Sequence, residues 1–139
     1  MKQERKEINF TDARGTIMDA FVSRPFEHGV LIHSTKGSVR GNHYHKESLQ
    51  CDLMIKGRMA VFSRKAGSEA IEERVVGPQD WAEWEKEEVH EFIALDDEVI
   101  FMSFVNGPRG GDAYESDTYR IPVPLHELKG KTLEQVLAL

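Results

Sequence analysis

His43 and His45 stand two residues apart in the run Val39-Arg40-Gly41-Asn42-His43-Tyr44-His45-Lys46, with Gln50 five residues further on. In a strand, residues i and i+2 share a face, so both imidazoles can converge on one point inside a sheet or barrel. A third imidazole, His90, sits in Glu87-Glu88-Val89-His90-Glu91-Phe92, where a loop gives way to an apolar run. Three neutral imidazoles and one oxygen donor make a divalent-metal site with room for water or substrate. The same histidines equally make an acid/base pair near neutral pH. Gln50 offers a neutral amide oxygen, a weaker ligand than a carboxylate for a hard cation, so metal and acid/base chemistry both stay open. Arg40 adds a fork-shaped anion binder, and Gly41 permits close backbone approach or an unusual φ.

The elements that must carry these residues read as short strands. Apolar and β-branched residues mark 16–22 and 28–36, and further strands are read over 40–45, 49–56, 58–65, 69–76, 80–85, 89–95 and 98–105. Gly57 and Asp96-Asp97 mark turns, and the segment 69–76 is confined to strand length by Gly67-Ser68 and Gly77-Pro78. A short amphipathic helix is expected over 132–139, after Lys129-Gly130-Lys131. This spacing argues for an all-β sandwich or barrel. The first ten residues are candidates for pairing with a partner subunit. His33 faces either the cavity or the opposite side, and His28 and His126 are expected in solvent. The acidic stretch from Glu83 to Glu88 reads as an exposed loop, and Trp81 and Trp84 read as core or rim. Cys51 alternates away from Gln50 and reads as packing.

Composition narrows the function classes. The 139 residues are expected to form one domain, 1–139, and are 40% hydrophobic and 30% charged, with net charge −6. A negative balance with no basic run argues against nucleic-acid binding. No apolar run approaches the roughly 20 residues of a membrane span, and the charged start lacks the apolar stretch of a signal peptide. The single cysteine fits a reducing, cytoplasmic setting.

The pattern Gly37-x5-His43-x-His45-x4-Gln50-x6-Gly57 resembles the first motif of the cupins, with Gln50 where that family usually has Glu. The second motif is looser. Gly77 and His90 fit it, while Glu85, Glu87 and Ala94 replace its usual proline, glycine and asparagine. The resemblance implies a double-stranded β-helix barrel, with its core at about 14–122 and a short C-terminal helix, often assembled as a homodimer. Thr11–Gly15, Arg40–Lys46 and Tyr114–Arg120 further resemble the sugar-nucleotide cupins. Among these are the dTDP-4-keto-6-deoxyhexose 3,4-ketoisomerases and the cupin domain of a capsular-polysaccharide UDP-keto-sugar epimerase. The ketoisomerases share the Gln and imply a metal-free site; the capsular cupin has Glu and implies zinc.

The resemblance implies an isomerase or epimerase acting on a nucleotide-linked keto-sugar in cell-surface polysaccharide synthesis. His43 or His45 would be the base and the other its relay partner. Arg40 would stabilise an enediolate oxygen or hold phosphate, with Lys46, Arg58 and Arg64 as further phosphate binders. A divalent transition metal (zinc, nickel, iron or manganese) would take His43, His45, Gln50 and His90 as ligands, and no organic cofactor is implied. A metal-bound nitrogen cannot also take the proton. The alternatives are a non-catalytic cupin that binds a small carbohydrate or carboxylate, and a dioxygenase with iron or copper at the histidines.

Overall fold

A computed structural model describes residues 1–139. The alternation of inward and outward residues gives two antiparallel sheets folded face to face, with a hairpin beside them. β1 (Lys2–Arg5) is followed by β2 (Phe10–Asp12) and β3 (Gly15–Ile17), which pair only with each other. Then come β4 (His28–Thr35), β5 (Val39–Tyr44), β6 (Leu49–Lys56), β7 (Met59–Arg64) and β8 (Glu72–Val76). β9 (Asp80–Trp84), β10 (Val89–Ala94), β11 (Glu98–Asn106) and β12 (Tyr119–Arg120) complete the strands. One sheet has the order β1-β9-β6-β11-β4 and the other β12-β5-β10-β7-β8. This is a cupin-type, double-stranded β-helix barrel. No helix is long and apolar enough to cross a membrane.

Period two sorts the side chains into three apolar layers. Met54, Met59, Val61, Trp84, Phe92 and Phe101 fill the barrel interior. Behind the second sheet, Ala60, Phe62, Val89 and Ile93 pack under α1 (Leu125–Leu128) and α2 (Leu133–Leu137). Behind the first, Cys51, Leu53 and Trp81 pack under the segment carrying Phe21 and Phe26. Along β10 the inward residues are His90, Phe92 and Ala94, and the outward ones are Val89, Glu91 and Ile93. Along β6, Gln50, Asp52 and Met54 point in while Cys51 and Leu53 point out.

Two elements take their place and two expectations change. β1 pairs in its own chain with β9, Lys2 opposite Glu83 through Arg5 opposite Asp80, and forms the edge of its sheet. The strand expected over 16–22 is shorter: β3 ends at Ile17, and the chain beyond it leaves the ladder to lay Phe21 and Phe26 on Trp81. The short helix expected over 132–139 is present as α2, begun by a capping box between Thr132 and Gln135, and α1 precedes it. His126 is buried rather than solvated: its backbone N–H donates to one oxygen of the fully buried Glu91 and its Nδ1 meets the other, both at 2.9 Å. That pair clips α1 onto the back of β10.

Candidate active site

β5 and β10 run side by side, His43 opposite His90. The next rung pairs Glu91 with Gly41, leaving Asn42 as an extra residue in β5. Gly41 and Asn42 take φ 79° and 57°. A Cβ on Gly41 would stand 2.7 Å from the His90 carbonyl oxygen, so only glycine allows this approach. The bulge thus aims His43 at His90. His45 follows the end of β5, and its ring meets both. Ring centroids are 4.8 Å apart for His43–His45, 4.9 Å for His43–His90 and 5.1 Å for His45–His90.

Backbone carbonyls orient two of the rings. His45 Nδ1–H donates to Asp117 O at 2.8 Å, and His90 Nδ1–H donates to Glu88 O at 3.1 Å. The Nε2 of each is therefore a bare lone pair. Asp117 also accepts from the backbone N–H groups of Lys46, Glu47 and Ser48 at 2.7–2.9 Å. These donors outweigh its partial burial and hold its carboxyl down at about 2. The turn after β5 and the loop before β12 are thereby locked together, with His45 between them.

Gln50 is oriented from behind. Its Nε2 donates to both oxygens of Asp52, at 3.2 and 3.1 Å, so its Oε1 faces the histidines. Asp52 is fully buried; it also accepts from Ser103 Oγ, and burial pushes its carboxyl up to about 7 against those bonds. Arg109, from the loop after β11, donates its Nη1–H to His45 Nε2 and to Gln50 Oε1, each at 3.1 Å. The last two atoms lie 3.2 Å apart and are both acceptors, so the arginine is what joins them.

Burial is the main reason the imidazoles are neutral. It brings His43 down to about 3, helped by the nearby His45, Arg109 and Arg120. It lowers His45, with Arg109 adding to the effect, and puts His90 well below its ordinary value, with His43 and His45 adding. Burial also lowers Arg109.

A cavity of about 480 Å³ opens onto this cluster. Val30, Ile32, Val39, Phe92 and Phe101 give it apolar walls, and His43, Gln50 and Arg109 its reactive end. Arg40, Arg120 and Tyr114 also line it. His45 and His90, 3% and 1% exposed, lie behind His43. The donor set fits a divalent transition metal: His43, His45 and His90 present ligand atoms within 4.8 Å of one another, and His43 Nδ1 and His90 Nε2 are buried without a hydrogen-bond partner.

His43, His45, Gln50 and His90 are thus brought together, with Arg40 on the cavity wall. Arg40 donates to Ser34 Oγ at 2.8 Å and to His33 O at 3.0 Å. Arg58 is elsewhere. It pairs with Asp96 at 2.8 Å, and Asp96 lies six residues beyond His90, or about 20 Å along a strand. Lys46 lies over the Tyr119 ring at 4.3 Å, and Arg64 lines a separate surface hollow. His28, expected in solvent, lines the cavity, and Glu88, expected in an exposed loop, is 1% exposed. Arg109, Asp52 and Asp117 were missed as site residues. Asp52 carried a signal, because it lies at i+2 from Gln50 and so shares its face. Arg109 lies in Gly107-Pro108-Arg109-Gly110-Gly111, a run that fixes no face.

No family model and no curated protein sequence matches the chain. Solved structures do. The chain is similar to the QdtA 3,4-ketoisomerase from Thermoanaerobacterium thermosaccharolyticum, a double mutant with TDP (TM-score 0.70, 15% identity, 86% of each chain). It is similar to dTDP-6-deoxy-D-glucose-3,5-epimerase RmlC from Legionella pneumophila, solved with dTDP-4-keto-L-rhamnose (TM-score 0.64, 17% identity, 74% of this chain and 64% of that one). It is also similar to the capsular polysaccharide assembling protein CapF from Staphylococcus aureus (TM-score 0.63, 21% identity, 85% of this chain). The chain spans just under two thirds of the Legionella protein and 34% of the capsular one. These likenesses establish the shared barrel fold.

Proposed function

We propose that the protein is an isomerase or epimerase that moves a proton on the carbon beside the carbonyl of a nucleotide-linked keto-sugar, in polysaccharide synthesis. The observation that carries this reading is a neutral imidazole, His43, at the reactive end of a cavity that also presents Arg40, Arg109 and Arg120, in a chain of net charge −6. A locally cationic cavity in an acidic protein suits a nucleoside diphosphate. Tyr114, 64% exposed, offers a ring to a nucleobase. The structural neighbours support the same class: one is a dTDP-6-deoxy-D-glucose-3,5-epimerase solved with dTDP-4-keto-L-rhamnose, another a 3,4-ketoisomerase solved with TDP.

His43 is the imidazole the cavity reaches, and its neutral form accepts the proton. Its low resting proton affinity comes chiefly from burial and nearby positive charge. A bound diphosphate and a developing enediolate put negative charge beside it and raise that affinity at the moment of transfer. His45, 4.8 Å away between ring centroids, has its Nδ1–H on the Asp117 carbonyl and its Nε2 on Arg109, so it positions that arginine rather than relaying the proton. Arg109 supplies N–H groups and positive charge where an enediolate oxygen develops, and apolar Phe92 and Phe101 limit water. If a divalent metal binds, His43, His45, His90 and Gln50 would hold it, and it would supply Lewis-acid polarisation of a carbonyl oxygen.

Thermal melting with dTDP, UDP and their sugars tests the ligand class. Stabilisation follows RT ln(1 + [L]/Kd), so a ligand at 100 times Kd adds about 2.7 kcal/mol. A rise in Tm with at least one nucleotide, reduced in Arg40→Ala, is the expected result. A rise with free sugars or carboxylates only would instead favour a non-catalytic binding module.

A further inference from the structure

We propose that Arg109 is the site's own cation, and that it and a divalent metal occupy the corner between His45 and Gln50 by mutual exclusion. Arg109 Nη1–H donates to His45 Nε2 and Gln50 Oε1, each at 3.1 Å. The Nδ1 hydrogen of His45 is committed to the Asp117 carbonyl. Its Nε2 therefore has one in-plane lone pair, which serves an N–H or a metal but not both. A dication at His45 would also face a guanidinium held against the same ring. The carboxylate of this corner, Asp52, stands behind the Gln50 amide and not between the two charges. Metal entry thus requires Arg109 to leave.

The loop is built for such a departure. Arg109 lies in a run with glycine at 107, 110 and 111, and Gly107 and Gly111 take φ 135° and 57°. Its other side-chain hydrogen bond is a long one, Nε to Tyr114 O at 3.4 Å. Asp117 stays pinned to residues 46–48, so the loop can open without releasing the support of His45.

The residue at position 50 matches this role. A carboxylate there would face Asp52 across the 3.1 Å contact that the Gln50 amide now bridges. It would also bind Arg109 as an ion pair. The neutral amide holds the guanidinium through a single charge-assisted bond and leaves it exchangeable. In the arginine-bound form Arg109 is the charge-stabilising catalytic residue, a role that rests on the proton-transfer reading.

The test is a zinc titration against a competing chromophoric chelator, with no substrate present. Arg109→Ala, and Arg109→Met, which keeps the stem's packing, are compared with the unaltered protein after circular dichroism confirms that each is folded. Both variants should bind zinc roughly tenfold or more tightly, the scale of one charge-assisted hydrogen bond. In the unaltered protein, zinc should speed amide hydrogen exchange over residues 107–113. Folded variants that bind zinc with equal or weaker affinity, or not at all, overturn the proposal. A protein inactive on every keto-sugar, with tighter zinc binding in the variants, would remove the proposed function and leave this exclusion standing.

Discussion

A histidine held neutral by burial makes the fold sensitive to acid. Burial brings His43 down to about 3 in the folded chain from its ordinary 6.5. Between those values the unfolded chain holds one more proton at this residue, so stability is present above 6.5 and is lost as pH falls toward 3. His45 and His90 shift in the same direction. Asp52 works the other way: its carboxyl rises from 3.8 to about 7, so its contribution is full below 3.8 and is lost as pH rises through 7. Three groups outweigh one, and stability should climb from about pH 4 to 6.5. Urea melts at pH 4.5, 5.5 and 6.5 check this. In His43→Gln the slope should fall by up to about 1.4 kcal/mol per pH unit. An unchanged slope would mean that His43 is not held neutral. At this scale the histidines and Gln50 were legible because period two and the spacing of the first motif place them. Arg109 and Asp117 were not, because their loops follow no period and their roles come from contacts 64 and 72 residues away in sequence.

At the scale of elements, the junction of β5 with β10 sets the distance between His43 and His90. Gly41→Ala forces a Cβ into the space 2.7 Å from the His90 carbonyl and into an unfavourable φ of 79°. Two outcomes are expected together. Stability falls by more than about 1 kcal/mol in denaturant melts. Zinc binding weakens even at pH 7.5, where the variant is still folded, because His43 is moved off its partners. A variant that keeps both properties would show that the bulge is not what positions the site. The strands themselves were readable from alternation and glycine turns. The pairing of β1 with β9 was not, because Lys2–Arg5 is polar and its place on that edge depends on a partner strand 78 residues later. His126 escaped for the same reason: a lone histidine before a helix shows no face until β10 presents Glu91 beneath it.

The whole molecule sets charge against charge. The chain is acidic, yet Arg40, Arg109 and Arg120 line one cavity whose reactive end is a neutral imidazole. The barrel was foreseeable because the histidine motif and the strand spacing agree. The cavity's cations were not: of Arg40, Lys46, Arg58 and Arg64, only Arg40 reaches the cavity, while Arg109 and Arg120 come from the stretch after β11. The central claim is that His43 removes a proton from the carbon beside a keto-sugar carbonyl. The direct measurement is solvent deuterium incorporation at that carbon, followed by NMR with dTDP- and UDP-linked 4-keto-6-deoxy sugars in deuterium oxide. Incorporation should occur with at least one of these substrates and fall about 100-fold or more in folded His43→Asn, the usual contribution of one general base. Absence of exchange with all of them, or undiminished exchange in His43→Asn, would contradict the account.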